Sequence, residues 1–342
     1  MRVLICPLDW GMGHTTRMIP VADRLIREGH EVTFGGSVKQ LALISSDLPA
    51  ATTMPLAGFT TRYSTWLPMY IYTAFRIPAF FFALIREHRQ LDKILAGGRF
   101  DMVISDNRMG LWNRRVKSVY VTHMLRIPMP RLLRFLERPG SWLHRQFINR
   151  FDECMIPDSE GDVNYSGRLA HGVRLPKNAR YIGILSKFSV CRDDEMIVPA
   201  ELTPLHCNPW SVLILSGPEP QRGLLRRRIA GSWNDPEELL VVLEGRMGTS
   251  VENRIEDRAG GEVEGKVTFI RNGSVISVPH LKPCAMAAVI KGSRRIFSRS
   301  GYTTIMELAS IGRLDSRAIL IATPGQTEQE YLAKAQPWLT KS

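Results

Sequence analysis

Two turns that contain glycine hold the residues best suited to chemistry. Residues 300–304 read Ser-Gly-Tyr-Thr-Thr and open a segment with the apolar spacing of a helix, which carries Glu307. Backbone N–H groups at a helix start are unpaired and the helix dipole favours negative charge there, so this turn can bind a phosphate. Gly301 lets the phosphate approach closely. Residues 11–14 read Gly-Met-Gly-His, and the imidazole of His14 titrates near pH 7, as a group that moves protons at neutral pH must.

Each turn also has a purely structural explanation. Thr304 and Glu307 have the spacing of a capping box, in which the two side chains bind the first N–H groups of their own helix. His14 can equally cap a helix or lie buried with a hydrogen bond. The residues of the two turns leave both explanations open.

The strands and helices that must position these residues alternate along the chain. A strand at residues 2–6 leads into the first turn, and a strand at 295–298 leads into the second. A helix and a further strand follow each turn, which predicts an α/β fold built from parallel βαβ units. The 342 residues are too many for one ordinary core. We therefore predict two Rossmann-like domains, at 1–184 and 185–342, with the final helix packing back on the first.

The first turn does not match a dinucleotide-binding loop. The pattern Gly-x-Gly-x-x-Gly requires a third glycine, and Thr16 stands in its place. The acidic residue expected after the second strand is absent, since residues 35–37 read Gly-Gly-Ser. We therefore exclude a dinucleotide site of this type and predict no cofactor.

Polar side chains follow three further strands of the first domain. They are Asp106, His123, Asp158 and Glu160. The carboxyl ends of parallel strands meet at one edge of a sheet, so we expect these side chains in the same cleft as His14. The structural alternative is that they cap loops and helices.

The second turn and its surroundings resemble the C-terminal signature of family 28 glycosyltransferases. The resemblance covers residues 298–333 and rests on Ser-x-Ser-Gly, on Thr-x-x-Glu-Leu in the helix, and on Pro-Gly-Gln-x-Glu-Gln-Glu-Tyr-x-Ala after the next strand. The type member of that family adds N-acetylglucosamine to a lipid-linked precursor of peptidoglycan. The resemblance implies separate contacts to the pyrophosphate, the ribose and the sugar of a nucleotide sugar. By position these are Ser300, Gly301 and Thr303 for pyrophosphate, Glu307 for ribose, and Gln326, Gln329 and Glu330 for the sugar.

The first loop is similar to the first loop of two-domain glycosyltransferases, where acceptor and donor meet. This similarity implies that His14 is the general base, with Gly11 and Gly13 on the acceptor side of the cleft. In other glycosyltransferases of this architecture an aspartate orients the histidine, which implies that role for Asp106. The loop reads Trp-Gly-Met-Gly-His, whereas the peptidoglycan enzymes have a glycine pair before the histidine.

Family 28 members also have a glycine–serine loop near the nucleotide, after the first strand of the C-terminal domain. The corresponding loop here reads Ser-Gly-Pro-Glu-Pro-Gln-Arg. Its Ser216 and Gly217 offer backbone donors, and Arg222 can reach a pyrophosphate. These departures argue against the peptidoglycan acceptor and leave the architecture unaffected.

The resemblance implies the GT-B fold, in which two Rossmann-like domains face each other across a cleft. It further implies inverting transfer of N-acetylglucosamine or a similar hexose from a UDP-sugar to a hydroxyl, for which we consider a lipid-linked acceptor. The diphosphate leaves onto helix-start N–H groups, so no metal is expected. Two alternatives remain: a nucleotide-sugar hydrolase or epimerase of the same fold, and a basic nucleic-acid-binding protein.

The charge and the apolar stretches bear on the partner. A net charge of +12 indicates an anionic partner. Residues 66–85 form an apolar run that two prolines and Arg76 interrupt, which argues against a transmembrane span. Residues 131–150 interleave five arginines with aliphatic and aromatic residues. We predict that these stretches dock on a bilayer, the alternative being buried or solvated helices. They lack the aromatic–basic grooves of nucleic-acid binders, so we predict no nucleic acid.

The cysteines and histidines indicate neither metal nor disulfide. Five cysteines are scattered without a Cys-x-x-Cys pair, and eight histidines show no ligand spacing. The chain also begins with a strand and a glycine loop rather than a secretory signal. We therefore expect a cytoplasmic protein without metal or disulfide, held peripherally at the inner face of the cytoplasmic membrane.

Overall fold

The protein is described by a computed structural model that covers residues 1–56, 58–59, 69–129, 131–245 and 269–335. The strands of the first sheet are β1 (Arg2–Pro7), β2 (Glu31–Gly36), β3 (Thr52–Pro55), β4 (Met102–Asp106), β5 (Lys117–Val121), β6 (Glu153–Ile156) and β7 (Ala179–Tyr181). The strands of the second sheet are β8 (Trp210–Ile214), β9 (Leu239–Leu243), β10 (Ile270–Asn272), β11 (Val275–Val278), β12 (Ile296–Arg299) and β13 (Ala318–Ile321).

Helices pack against both sheets. They are α1 (Met12–Thr16), α2 (Ile19–Arg27), α3 (Val38–Asp47), α4 (Met69–Ala96), α5 (Glu137–Ile148), α6 (Pro204–Cys207), α7 (Gln221–Ile229), α8 (Pro283–Gly292), α9 (Tyr302–Ser310) and α10 (Thr327–Ala335). Short 3₁₀ turns, among them Arg131–Leu136 and Lys187–Val190, lie between them.

Both sheets have the topology of Rossmann-like units. The first has the order β3-β2-β1-β4-β5-β6-β7, and all of its pairs are parallel. The second has the order β10-β11-β9-β8-β12-β13, and only the pair of β10 and β11 is antiparallel. The parallel pairing of β12 with β13 across α9 is the βαβ unit that the sequence predicts. The predicted fold class is confirmed.

The two sheets define two units joined by one connection. The first unit ends with β7 at Tyr181, and the second begins with β8 at Trp210. The predicted domain boundary after residue 184 falls within this connection. Helix α10 of the second unit touches the first unit, because the Tyr331 hydroxyl accepts a hydrogen bond from the Arg168 N–H at 2.8 Å.

Successive side chains of β1 point to opposite faces of the first sheet, and both faces are covered by helices. Val3 and Ile5 pack against α2 on one face, while Leu4 and Cys6 pack against Leu91 of α4 on the other. Each fully buried aliphatic side chain of this kind contributes roughly 1.5–3 kcal/mol. The sheet is therefore rigid, and the loops at its carboxyl edge are held in fixed positions.

The structure bears on two expectations from the sequence, the absence of a disulfide and the absence of a transmembrane span. The expected absence of a disulfide is wrong, since Cys191 and Cys284 are joined. The two cysteines lie 93 residues apart, and no local spacing could reveal a pair that only the tertiary fold brings together. No helix in the described ranges has the length and apolarity to cross a bilayer. Residues 66–68 of the apolar stretch lie outside the described residues.

Candidate active site

The loop after β1 brings His14 to the carboxyl edge of the first sheet. Gly11 has a φ of 147°, which only glycine adopts without strain, and it lets the chain turn sharply into α1. Gly13 is required for a different reason. A Cβ atom at Gly13 would lie 3.1 Å from the Thr303 Oγ1 atom of α9. A glycine in this loop therefore allows the two units to approach closely beside His14.

His14 and Asp106 form a hydrogen-bonded pair, as the sequence comparison of the loops implied. The His14 Nδ1 atom lies 2.9 Å from Asp106 Oδ2 at the end of β4. Asp106 is fully buried, whereas the side chain of His14 is 21% exposed. The Arg17 Nη2 atom also lies 2.9 Å from Nδ1, but it donates to Asp106 Oδ1. We therefore place the proton on Nδ1, because the ionised carboxylate can only accept. The Nε2 atom then carries a lone pair and has no hydrogen-bond partner among the described residues.

Electrostatics keep this pair in the protonation state that a base requires. Burial lowers the pKa of His14 below its ordinary value of 6.5, and the Arg17 guanidinium lowers it further, against the opposing effect of Asp106. Burial alone would raise the pKa of Asp106, but Arg17 and His14 outweigh burial and hold the pKa below the usual value. Asp106 is therefore ionised and His14 neutral at pH 7.

Arg17 is a functional residue that the sequence reasoning missed. Its side chain is fully buried, and its Nε atom donates to Asp106 Oδ2 at 2.9 Å while Nη2 donates to Asp106 Oδ1. Its Nη1 atom lies 3.2 Å from His123 Nδ1. The signal that could have found it is spacing, because Arg17 follows His14 by three residues and one helical turn puts both on one face.

The second unit supplies the opposite wall through the start of α9. The Thr303 hydroxyl donates to the Gly13 carbonyl at 3.3 Å, and the Tyr302 hydroxyl donates to the Pro157 carbonyl at 2.7 Å. A Cβ atom at Gly301 would meet no atom closer than Thr304 Oγ1, at 4.0 Å, so the space on that side of the glycine is open. The helix start at this turn is therefore accessible where the sequence predicts an anion.

The capping-box explanation for Glu307 is wrong. Helix α9 begins after Gly301 and has no side-chain cap, so Thr304 already lies inside it. The Glu307 carboxylate points across the cleft, where Thr16 lies 3.5 Å away and the Lys187 Nζ atom 3.8 Å away. Burial raises the pKa of Glu307 although Lys187 opposes this. A buried carboxylate in a cleft is costly unless a partner compensates it.

A cavity lies between these walls. It has a volume of about 120 Å³, below the roughly 300–1,000 Å³ of typical ligand pockets. Its lining includes Gly13, Thr16, Lys187, Ser216, Gly217, Arg222, Thr303 and Glu307. Gly217 has a φ of 82° and no atom within 4 Å of a Cβ position, so its backbone is free to approach a ligand. The Arg222 guanidinium donates to the Glu244 carbonyl at the same rim.

The residues that resemblance assigned to the donor sugar have structural contacts in the loop after β13. Gln329 accepts a hydrogen bond from the Thr323 N–H at 3.0 Å, and Glu330 accepts one from the Gly325 N–H at 2.8 Å. The Ser300 hydroxyl donates to the Gln329 carbonyl at 2.8 Å. Gln326 closes the turn by donating its N–H to the Thr323 carbonyl. The structure brings Ser300, Gln326, Gln329 and Glu330 together around this loop and not onto the cavity wall.

The remaining predicted residues of the acceptor side differ in their surroundings. Asp158 is fully buried and accepts hydrogen bonds from the Tyr165 and Ser166 N–H groups, so it organises its own loop. Glu160 is exposed. His123 lies at the interface of the two units, stacked on the Tyr302 ring at 4.2 Å between centroids. The structure joins His123 to the His14–Asp106 pair and leaves Asp158 and Glu160 apart from it.

The part of the chain that the structure describes contains no group of three or more His, Cys, Asp or Glu residues that could hold a metal ion. The expectation that the reaction needs no metal stays a prediction.

Solved structures with the same architecture include several proteins that act on sugars. SnogD, a glycosyltransferase from Streptomyces nogalater, is 16% identical, with 98% of this chain and 84% of that chain covered and a TM-score of 0.54. A candidate UDP-N-acetylglucosamine 2-epimerase from Listeria monocytogenes is 12% identical, with 98% and 86% covered and a TM-score of 0.54. The spinosyn rhamnosyltransferase SpnG, solved with thymidine diphosphate, is 13% identical, with 98% and 90% covered and a TM-score of 0.52.

These similarities establish the fold as GT-B, with two Rossmann-like units that meet at the site just described. No family model matches the chain, and no curated protein sequence matches it. Membership of family 28 therefore stays a prediction.

Proposed function

We propose that the protein is a glycosyltransferase that moves a sugar from a nucleoside diphosphate to a hydroxyl group of an acceptor, with His14 as the general base. The observation that carries the proposal is the position of His14. Its ring is held from behind by Asp106 at 2.9 Å, and its loop is in contact with the start of α9. In-line displacement of a diphosphate requires a base close to the anion-binding helix start, and the loop that carries His14 contacts that helix start through Gly13.

The donor would lie along the second unit. Its pyrophosphate fits the N–H groups at residues 301–303, where the Thr303 hydroxyl can add a hydrogen bond and Arg222 a positive charge. The ribose hydroxyls would donate hydrogen bonds to the Glu307 carboxylate. They would replace the Thr16 hydroxyl, which lies 3.5 Å from that carboxylate in this structure. Because the cavity has only about 120 Å³, the two units must separate for a nucleotide sugar to enter and close again for reaction. SpnG was solved with a nucleoside diphosphate, which supports this class of donor.

The chemical step follows from the groups in place. The acceptor oxygen attacks the anomeric carbon as the bond from that carbon to the diphosphate oxygen breaks. The hydroxyl proton passes to His14 Nε2, and the negative charge of the departing diphosphate is stabilised at the start of α9. Attack opposite to the leaving group inverts the anomeric centre. We propose UDP as the nucleotide and N-acetylglucosamine or a similar hexose as the sugar, and no metal in the step.

Calorimetric titration tests the donor site. We expect UDP and UDP-N-acetylglucosamine to bind with micromolar dissociation constants and GDP to bind more weakly. The variant Glu307→Gln should lose at least tenfold in UDP affinity, since it removes a charged acceptor worth about 1.5–3 kcal/mol. Glu237→Gln, an exposed change before β9, serves as the matched control. Absence of nucleotide binding by the folded wild-type protein would refute the proposal.

A nucleotide-sugar epimerase or hydrolase is the second candidate, favoured by the fold shared with the Listeria protein. Such an enzyme needs no acceptor hydroxyl. Incubation of the protein with UDP-N-acetylglucosamine alone distinguishes the two, because an epimerase or hydrolase converts the donor without any acceptor. A transferase releases UDP at a substantial rate only when an acceptor is added.

We further propose that the acceptor is lipid-linked and that the first unit docks on an anionic bilayer. Helices α4 and α5 cover the same face of the first sheet, and Trp112 joins them, stacked on His88 at 4.6 Å with the Arg150 guanidinium 5.3 Å from its ring. On these two helices, 74% of Phe82 in α4 and 62% of Trp142 in α5 is exposed. Exposed arginines flank both: Arg86, Arg89, Arg134 and Arg138. Apolar side chains with a basic rim suit an anionic lipid surface.

Sedimentation with vesicles tests this surface. The protein should bind vesicles that contain 30% phosphatidylglycerol and bind neutral phosphatidylcholine vesicles at least tenfold more weakly. Phe82→Ser combined with Trp142→Ser should abolish most of the binding, whereas Ile197→Ser, an equally exposed apolar position away from α4 and α5, should not. Equal binding of the double variant and the wild type would exclude this face as the docking surface.

A further inference from the structure

A buried chain of contacts leads from the His14–Asp106 pair into the second unit. Arg17 holds Asp106 with two nitrogen atoms and reaches His123 Nδ1 with the third, at 3.2 Å. On the opposite side of the imidazole, His123 Nε2 lies 2.8 Å from the Glu328 Oε1 atom. Arg17, Asp106 and His123 are all buried. The candidate base is therefore connected to a carboxylate that belongs to the other unit.

The contacts define how His123 is used. A guanidinium can only donate, so Nδ1 of His123 must offer its lone pair to Arg17. The proton then lies on Nε2, which donates to Glu328. The Tyr302 ring stacks on the imidazole with an interplanar angle of 3°, which fixes its plane. His123 therefore connects Glu328 to Arg17, so the contact with Glu328 fixes the imidazole that in turn holds the Arg17 side chain.

Glu328 occupies the first turn of α10, directly after the turn formed by residues 323–326. Both groups of the second unit that contact His123, Tyr302 and Glu328, move away from it when the units separate. His123 and Arg17 remain with the first unit. Opening the cleft must therefore break the chain at one place, between His123 and Glu328.

We propose that Glu328 is a positioning residue that, through His123 and Arg17, completes the base His14 only when the two units are closed, as they are in this structure. This inference rests on the proposed sugar transfer. In the closed state two carboxylates, Asp106 and Glu328, face one guanidinium. In the open state Arg17 and Asp106 form a neutral pair, and the negative charge of Glu328 no longer helps to stabilise a proton on His14. The enzyme thereby couples base strength to closure, and an open cleft does not activate water as an acceptor.

The charged groups around this chain of contacts determine the direction in which the titration midpoint of His14 should move. The groups that face it are Asp106, Arg17 and His14 of the first unit and Glu328 of the second, with the Glu307–Lys187 pair beside Thr16 and Asp158 beyond Tyr302. Glu328→Gln keeps an acceptor for His123 Nε2 and removes one negative charge. Protonated His14 is then less stable, so we expect its titration to move to lower pH by roughly half a unit.

Two measurements on Glu328→Gln, with Glu237→Gln as the matched control, test the proposal. Histidine NMR titration should show the lowered midpoint for His14, whose signal is the one lost in His14→Gln. The acidic limb of the kcat profile should move in the same direction, and kcat should fall about two- to threefold, the loss that half a unit of basicity allows, with KM for the donor unchanged within twofold. Glu328→Asp, which keeps the charge, should restore the His14 midpoint.

Other outcomes overturn the proposal. A higher donor KM with an unmoved His14 midpoint would make Glu328 a donor contact. Lower kcat with an unmoved midpoint would make its role merely structural. The NMR measurement needs no turnover, so it still decides the coupling if the wild-type protein transfers no sugar and the proposed function fails.

Discussion

Asp106→Asn separates the electrostatic role of this residue from its shape. The amide has the size of the carboxylate but lacks its charge. In the wild type, Asp106 accepts from His14 Nδ1 and from two nitrogens of Arg17. In the variant, the amide oxygen would keep Arg17 and the amide NH₂ group would turn to His14. Nδ1 then accepts, the proton moves to Nε2, and the lone pair that serves as base is lost.

Two magnitudes are expected for this change, one in kcat and one in stability. The same exchange in a Ser–His–Asp triad lowers kcat by about 10⁴-fold through the tautomer, and we expect a loss of at least 10³-fold here. The side chains of Asp106 and Arg17 are 0% and 1% exposed, and breaking such a buried pair costs roughly 3–5 kcal/mol. Since asparagine still accepts one hydrogen bond from Arg17, the free energy of unfolding should fall by about 3 kcal/mol.

The assay is UDP release with donor and acceptor present, together with urea unfolding of the same samples. Glu87→Gln is the matched control, because Glu87 and Arg108 form another buried pair in the first unit, at 3.0 Å. The control should lose stability while its kcat stays within threefold of the wild type. A folded Asp106→Asn protein with kcat within tenfold of the wild type would refute the assignment of the pair.

Three further outcomes are expected. The acidic limb of the kcat profile should have its midpoint below pH 6.5, because burial and Arg17 lower the pKa of His14; a midpoint above 7 would exclude His14 as the base. Burial lowers the pKa of His144 to about 4, so the unfolded chain binds this proton first, and the free energy of unfolding should drop by roughly 3 kcal/mol between pH 6.5 and 4. His144→Phe, which retains the ring contact with Tyr120, should remove that part of the slope in urea titrations. Gly13→Ala places a Cβ atom 3.1 Å from Thr303 Oγ1 and should lower kcat several-fold without lowering the melting temperature, since the added atom obstructs closure rather than folding.

The parts of the fold that sequence predicts are those governed by short-range patterns. The strands before His14 and before Gly301 follow from runs of buried aliphatic residues, and the turns follow from glycine. The convergence of Asp106 on His14 follows from topology, because both stand at the carboxyl ends of the adjacent parallel strands β1 and β4. Local patterns and one topological rule therefore place the centre of the candidate site.

Contacts that depend on three-dimensional packing do not follow from sequence patterns. In the sequence, Arg17 is one polar residue between the glycine loop and the next helix, and only the tertiary contacts show that it holds Asp106. Gln329 matches a family motif, yet its amide oxygen binds the Thr323 N–H. Glu307 has the spacing of a helix cap but contacts the other unit. Sequence spacing describes neighbours within one element and is silent on neighbours across a cleft.

The disulfide between Cys191 and Cys284 has a mechanical consequence for the connection between the units. Cys284 belongs to α8 of the second unit, so the covalent bond fixes the middle of the connecting segment to that unit. Phe188 already packs in the core of the second unit, so any rotation of one unit against the other must be absorbed by backbone torsions between Tyr181 and Phe188. Fewer free torsions mean that less conformational entropy is lost at each closure. The oxidation state of this one bond therefore influences how readily the two halves of the candidate site meet.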